Sequence, residues 1–152
     1  MLLEKGADIM EITEDLWWKS FEKYAEEFAK ARPNYEILDE KTQEIGALFQ
    51  YELDIYNGGF LQAFCNWGYG CYLLEIKALE KIGANNSKRI LEECYSIISK
   101  FENDDRIKEY YDIPKYLSEE DEEKLNSLDE EYWENEDNIM EKMYNFYIER
   151  IC

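Results

Sequence analysis

The chain has no histidine, and this absence removes Ser-His-Asp and Cys-His catalysis, the HExxH zinc site and the Glu-x-x-His di-iron bundle together. Its four cysteines, Cys65, Cys71, Cys94 and Cys152, form no CxxC pair, so no zinc ribbon or thioredoxin-type motif is spelled out. Cys65 stands between Phe64 and Asn66 with no cation beside it to lower a thiol pKa, which argues against a nucleophile. All four read as reduced, buried small hydrophobes. A calcium loop needs oxygen ligands at alternate positions about a central glycine, and neither Asp104-Asp105 nor the segment from Asp129 supplies one. No glycine-rich phosphate cradle follows a strand, because Asn57-Gly58-Gly59 follows a helical stretch and runs into Phe60. The expectation is a protein with no catalytic residues, no metal and no cofactor. Paired carboxylates for glycosidase-type chemistry remain available, but the abundance of acids makes them uninformative.

Long apolar runs are also missing: no stretch approaches the roughly 18 residues of a membrane span. Glu4 and Asp8 interrupt the short apolar run at the start, a layout unlike a secretory signal, so the expected location is cytoplasmic. The Asn85-Asn86-Ser87 sequon then has no meaning. Basic residues are scarce as well: 17 Lys and Arg face 36 Asp and Glu, a formal net charge of -19. Nucleic acid and anionic membranes repel such a chain, so neither is expected to bind it directly. A basic protein surface is the natural counterpart, and plain solubility is the alternative reading.

What is present is ample material for a core, with 45% hydrophobic and 16% aromatic residues, too rich for disorder. Thr13 can cap a helix whose first turn carries Glu14 and Asp15, and Trp17, Phe21, Tyr24 and Phe28 then recur at spacings of four, three and four. Pro33 ends that helix. Asp39 is the next cap, with Ile45, Leu48, Phe49 and Tyr56 as a buried face before Asn57-Gly58-Gly59. There Asn57 and Gly58 are expected to turn the chain at positive φ, with Gly59 permitting close helix approach and Phe60 anchoring the next segment. Gly68-Tyr69-Gly70 separates the segment Phe60 to Trp67 from a helix through Leu74, Ala78, Leu79 and Ile82, which Gly83 caps. A helix from Asn86 through Ile90, Leu91, Cys94, Ile97, Ile98 and Phe101 reads as the densest core stripe.

Beyond Phe101 the composition shifts. From Glu102 to Glu141 there are 17 Asp or Glu against 4 Lys or Arg, net -13 of the total -19. Ile113-Pro114 marks a break, and Ser118 with Asp121 resembles a capping box. Tyr110, Tyr111, Tyr116, Leu125, Leu128, Tyr132 and Trp133 punctuate the block, which therefore folds. Ile139, Met140, Met143, Tyr144, Tyr147, Ile148 and Ile151 signal a closing helix. With no strand, repeat or low-complexity linker, the expected fold is an all-α, single-domain bundle of about six to eight helices. Its parts are an N-terminal helix within residues 1–38, core helices over 39–101, an acid-rich helical segment over 102–141 and a C-terminal helix over 139–152.

Asn57-Gly58-Gly59-Phe60 followed by Gln62, Phe64, Asn66 and Gly68 resembles the signature of a family of bacterial all-helical proteins named for DNA mimicry. Ala78-Leu79, Ile82-Gly83-Ala84 and the run from Leu128-Asp129 through Tyr132 to Tyr147-Ile148 continue the likeness, which spans roughly residue 40 to the C-terminus. Trp17 and Trp18 lie outside it. The resemblance implies an all-α fold and a protein whose acidic surface imitates DNA to occupy a DNA-binding protein. The shared residues are apolar, amide or glycine, so they speak for the scaffold, whereas mimicry rests on surface carboxylates.

Helical residues three or four apart sit about 5–6 Å from each other, so acid-rich helices form rows of charge. Glu119, Glu120, Glu122 and Glu123, then Glu130, Glu131, Glu134 and Asp137, with Asp104 and Asp105, are the candidate partner-binding residues. A solvated helix face is the bland alternative. The leading reading is a mimic that blocks a repressor or nuclease, with a homodimer supported by the surplus of aromatics. An antitoxin- or immunity-type interaction module without mimicry, and an enzyme built on a carboxylate pair near the Asn57 to Gly68 segment, are the alternatives.

Overall fold

A computed structural model describes residues 12–148. Glu4, Asp8, Ile151 and Cys152 therefore lie outside the described residues. Among those described there are six α-helices and three 3-10 segments, with no strand.

Helix α1, Glu14–Ala31, starts where the Thr13 hydroxyl accepts the Leu16 amide at 3.1 Å, and it stops just ahead of Pro33. Trp17, Phe21, Ala25 and Phe28 are buried, while Tyr24 is only half-buried. Helix α2, Glu40–Gly58, begins with Asp39 accepting the Thr42 amide at 2.7 Å. It lies between α1 and the helix that follows it and is buried on every side from Glu44 to Phe49, as a helix enclosed by neighbours must be. The densest core stripe is thus on α2 rather than on the helix from Asn86. Tyr56 departs from expectation, being 44% exposed, because it sits at the rim of the bundle with its ring resting on Tyr132 at 5.9 Å.

Asn57 and Gly58 are helical rather than turn residues, since α2 runs through Gly58. The reversal falls on Gly59, at φ 94°, and α3 follows at once as Phe60–Ile82. A single non-helical residue inside α3, Gly68 at a positive φ of 86° and ψ 179°, divides it into two helical pieces. This is the separation that Gly68-Tyr69-Gly70 suggests. Gly83 ends α3 in the left-handed region, and α4 covers Asn85–Ile98.

A 3-10 turn at Ser99–Phe101 and another at Tyr110–Tyr116 lead to α5, Glu119–Trp133. Pro114 lies inside the second turn instead of breaking it, because the φ that proline enforces falls within the 3-10 range. Ser118 and Asp121 form the expected reciprocal cap of α5, with the Asp121 amide donating to the Ser118 hydroxyl at 3.0 Å. Of the residues punctuating the acidic block, Leu125 and Tyr132 are buried, whereas Tyr110, Tyr111, Tyr116 and Trp133 are between 39 and 51% exposed. Helix α6, Ile139–Tyr147, returns against α1 and α3, burying Ile139, Met143 and Tyr147 in the core shared by the other helices.

Candidate protein-interaction surface

Helix α5 buries Leu125, Asp129 and Tyr132, and this choice fixes what its other side presents. At 3.6 residues per turn, Glu119, Glu123, Glu130 and Glu134 fall within about 60° of one another on the opposite side. All four are exposed, as are the flanking Glu120 and Glu122. At 1.5 Å per residue the row spans about 22 Å. Glu120 has Lys124 one turn on, at 3.6 Å.

The remaining candidates are not on that row. Glu131 is half-buried and pairs with Arg89 of α4, which also holds Glu93 at 2.7 Å. Glu93 is thus an exposed acid beside α5 that the reading of the acidic block omits; its only sequence signal is the Arg89–Glu93 spacing of one turn. Asp137 accepts the Ser87 amide at 2.6 Å and so caps the start of α4. Asp104 is clasped by Arg106, which donates to its two oxygens at 3.0 and 2.6 Å, and that guanidinium holds its carboxyl down at about 2. Asp105, next to it, is exposed.

The glycine signature receives the acid-rich segment at two places. The Phe60 amide donates to Asp129 Oδ1 at 2.9 Å, and a Cβ on Gly59 would stand 2.2 Å from Asp129 Oδ2, so the carboxylate occupies the space a side chain would need. One turn further along α5, Tyr132 donates its hydroxyl to Glu52 at 2.6 Å, and Trp133 donates its indole N–H to the Ile55 carbonyl at 2.8 Å. At Gly68 a Cβ would meet the Tyr110 ring at 2.9 Å; Tyr110 takes the Tyr69 amide on its hydroxyl at 3.3 Å. Gln62 lies against Gly58. Asn66 and Trp67 both donate to Asp54 Oδ2 at 3.0 Å, and Arg32 donates to the Asn66 carbonyl while stacking on Trp67 at 4.6 Å. Asn57 is exposed and Gly58 with it.

The model of a family described as DMP19-like protein matches residues 36–150. The chain belongs to the DMP19-like protein family. This is the DNA-mimic family of the resemblance. No curated protein and no solved structure matches. The DMP19-like stretch takes in α2 to α6 and the whole acid-rich segment, and leaves α1 outside it.

Carboxylates of this DMP19-like chain fall into two populations. Glu44, Glu52, Glu75, Asp112 and Asp129 are buried. Glu44 accepts the Tyr147 hydroxyl at 2.8 Å and the Lys81 ammonium at 2.6 Å. Burial pushes Glu52 up to about 7, against the opposing pull of the Tyr132 hydroxyl, and Asp129 up to about 6, against the Phe60 amide. Glu75 is driven well above the usual carboxylate range by burial and by nearby Glu52, and neither of its oxygens has a hydrogen-bond partner within the described residues. These groups lie in the core, whereas the row on α5 faces solvent. Cys65, Cys71 and Cys94 are buried and form no disulfide, and burial pushes Cys65 up to about 11 and raises the other two as well. Among the described residues no cluster of acids, Cys and His is placed to hold a metal ion, and no helix is long and apolar enough to cross a membrane.

Proposed function

We propose that this protein is a non-enzymatic DNA mimic that docks its α5 face on the basic surface of a DNA-binding protein, a repressor or nuclease, and blocks it. The observation that carries the reading is the exposed row Glu119, Glu123, Glu130 and Glu134 in a chain of formal net charge -19. Neighbouring acids one turn apart rise about 6 Å along the helix axis, close to two phosphate steps of one DNA strand at about 3.4 Å each. Membership of the DNA-mimic family supports the same reading. Such docking is steered electrostatically and weakened by salt.

A groove of about 560 Å³ beside Asn66 is the place where a carboxylate enzyme would be sought. It is lined by two carboxylates, Asp54 and Glu109, and Asp54 is held by Asn66 and Trp67. That arrangement favours a positioning role for Asp54 and a binding protein over an enzyme. Trp18, Tyr56, Tyr69 and Trp133, each 39 to 44% exposed, are among the aromatic rings a homodimer would draw on. A cytoplasmic location brings the protein together with DNA-binding proteins.

The test is capture of partners from host lysate at low and moderate salt, followed by competition. Duplex DNA added to the captured complex should displace this protein from the partner in proportion to the partner's affinity for DNA. A partner that holds DNA and this protein at once overturns mimicry and leaves an antitoxin- or immunity-type module. Recovery of no basic or DNA-binding partner at either salt concentration overturns mimicry.

A further inference from the structure

A cleft of about 810 Å³ lies where α3, α4 and the chain leading to α5 meet, within the roughly 300–1,000 Å³ of ordinary ligand sites. Its walls are aromatic. Phe64 and Tyr69 flank the Gly68 kink, Tyr95 comes from α4, Phe101 from the 3-10 turn after it, and Tyr110 from the turn before α5. The rings brace one another: Phe64 meets Tyr110 edge-on at 5.1 Å, and Tyr95 lies 5.4 Å from Tyr69 and stacks on Tyr72 at 4.8 Å. Two carboxylates, Glu102 and Glu109, also line the cleft, and the Tyr95 hydroxyl donates to Glu102.

We propose that this cleft receives an arginine side chain presented by the protein partner. The proposal rests on the reading above for the source of the cation, and on the cleft itself for its chemistry. Aromatic faces carry negative potential and attract a guanidinium, more strongly where water is excluded. A carboxylate beside the ring supplies the fork-shaped acceptor that arginine prefers. The molecule already uses this combination internally: the Arg106 guanidinium lies over Tyr116 at 4.1 Å while paired with Asp104. Among the described residues the cleft repeats those elements without an arginine in its lining, and Lys108 is the one cation that lines it; the Lys108 backbone amide is held by Asp112 at 2.8 Å. A cationic occupant competes with that ammonium, so removing Lys108 should tighten binding, whereas an anionic occupant would need it.

The experiment titrates the ¹⁵N-labelled full chain with acetyl-Gly-Arg-Gly-amide and with the same peptide carrying neutral citrulline. The arginine peptide should shift the amide signals of Tyr69, Tyr95 and Glu102 in a saturable way, and the citrulline peptide should bind about tenfold more weakly. Glu102→Gln should weaken the arginine peptide, and Lys108→Ala should strengthen it. Both are exposed positions, and the same spectra report whether the fold is kept. Equal binding of the two peptides, shifts confined to the α5 glutamates, or weakening by Lys108→Ala overturns the proposal. The two readings separate cleanly. Saturable arginine binding without a DNA-binding partner in lysate upholds the cleft and removes mimicry; a competing partner without arginine binding does the reverse.

Discussion

Asp129 of α5 closes the junction between α2 and α3: its Oδ1 accepts the Phe60 amide at 2.9 Å, and its Oδ2 fills the space where a Cβ on Gly59 would stand. Two residues separated by 69 positions thus supply the cap that the first turn of α3 has no local residue to provide.

Asp129→Ala should leave the buried Phe60 amide unpaired and cost about 1–2 kcal/mol in urea unfolding. Gly59→Ala should cost more, because it adds strain at φ 94° to the collision with Asp129. The double variant should lose less than the sum of the two, since Asp129→Ala empties the space the new methyl enters. Strict additivity would show that the two positions do not share that space.

Gly68→Ala should dislodge the Tyr110 ring and lower the melting temperature, with a loss of aromatic circular dichroism. Gly70→Ala is the control. A Cβ there meets open space in a helical stretch, so it should stabilise by roughly 0.5–1 kcal/mol through helix propensity. Equal effects at the two glycines would contradict the kink.

The buried acids set the pH response. Glu52 is raised from 4.5 to about 7, Asp129 from 3.8 to about 6, and Glu75 well above 4.5. Between pH 4.5 and 7 the folded state keeps protons that the unfolded chain has released, so stability falls as pH rises. Each group that keeps its proton contributes a slope approaching about 1.4 kcal/mol per pH unit. Asp104 and Asp112 are lowered to about 2, so their contribution is present above 3.8 and fades only in stronger acid. Melting temperatures should decline from pH 5 to 8. Glu75→Gln should flatten that decline, which separates the buried carboxyl from general charge repulsion. A variant with the slope of the wild type would refute the assignment.

Replacing Glu119, Glu123, Glu130 and Glu134 together by Gln should change folding stability by less than about 1 kcal/mol, because exposed charges contribute little and like-charge neighbours repel. The same variant should bind the partner with a slower association rate and a weaker dependence on salt. Unchanged kinetics would mean that the docking face lies elsewhere.

Much of this architecture is legible locally. Thr13, Asp39 and Ser118 cap the helices they precede because a cap is a contact over three residues, readable in the chain itself. The acid row on α5 is legible for the same reason: spacings of four and seven along a helix specify a face. Other candidates turn out to have structural partners. Asp137 caps α4, Glu131 pairs with Arg89 and Asp104 is clasped by Arg106, and of these the first two depend on helices far apart in sequence. Glu93 is not legible as part of this surface, because it lies outside the acidic block and joins it through Arg89.

Amino-acid order alone determined the helical class, the local caps at Thr13, Asp39 and Ser118, the absence of histidine chemistry and the concentration of acid after Phe101, all of which follow from composition and short-range spacing. Tertiary structure decided which acids face water and which are buried among aromatic rings, and it decided what the glycine signature does. The turn at Gly59 and the kink at Gly68 are shaped by Asp129 and Tyr110, residues distant in sequence that fill the volume of the missing side chains.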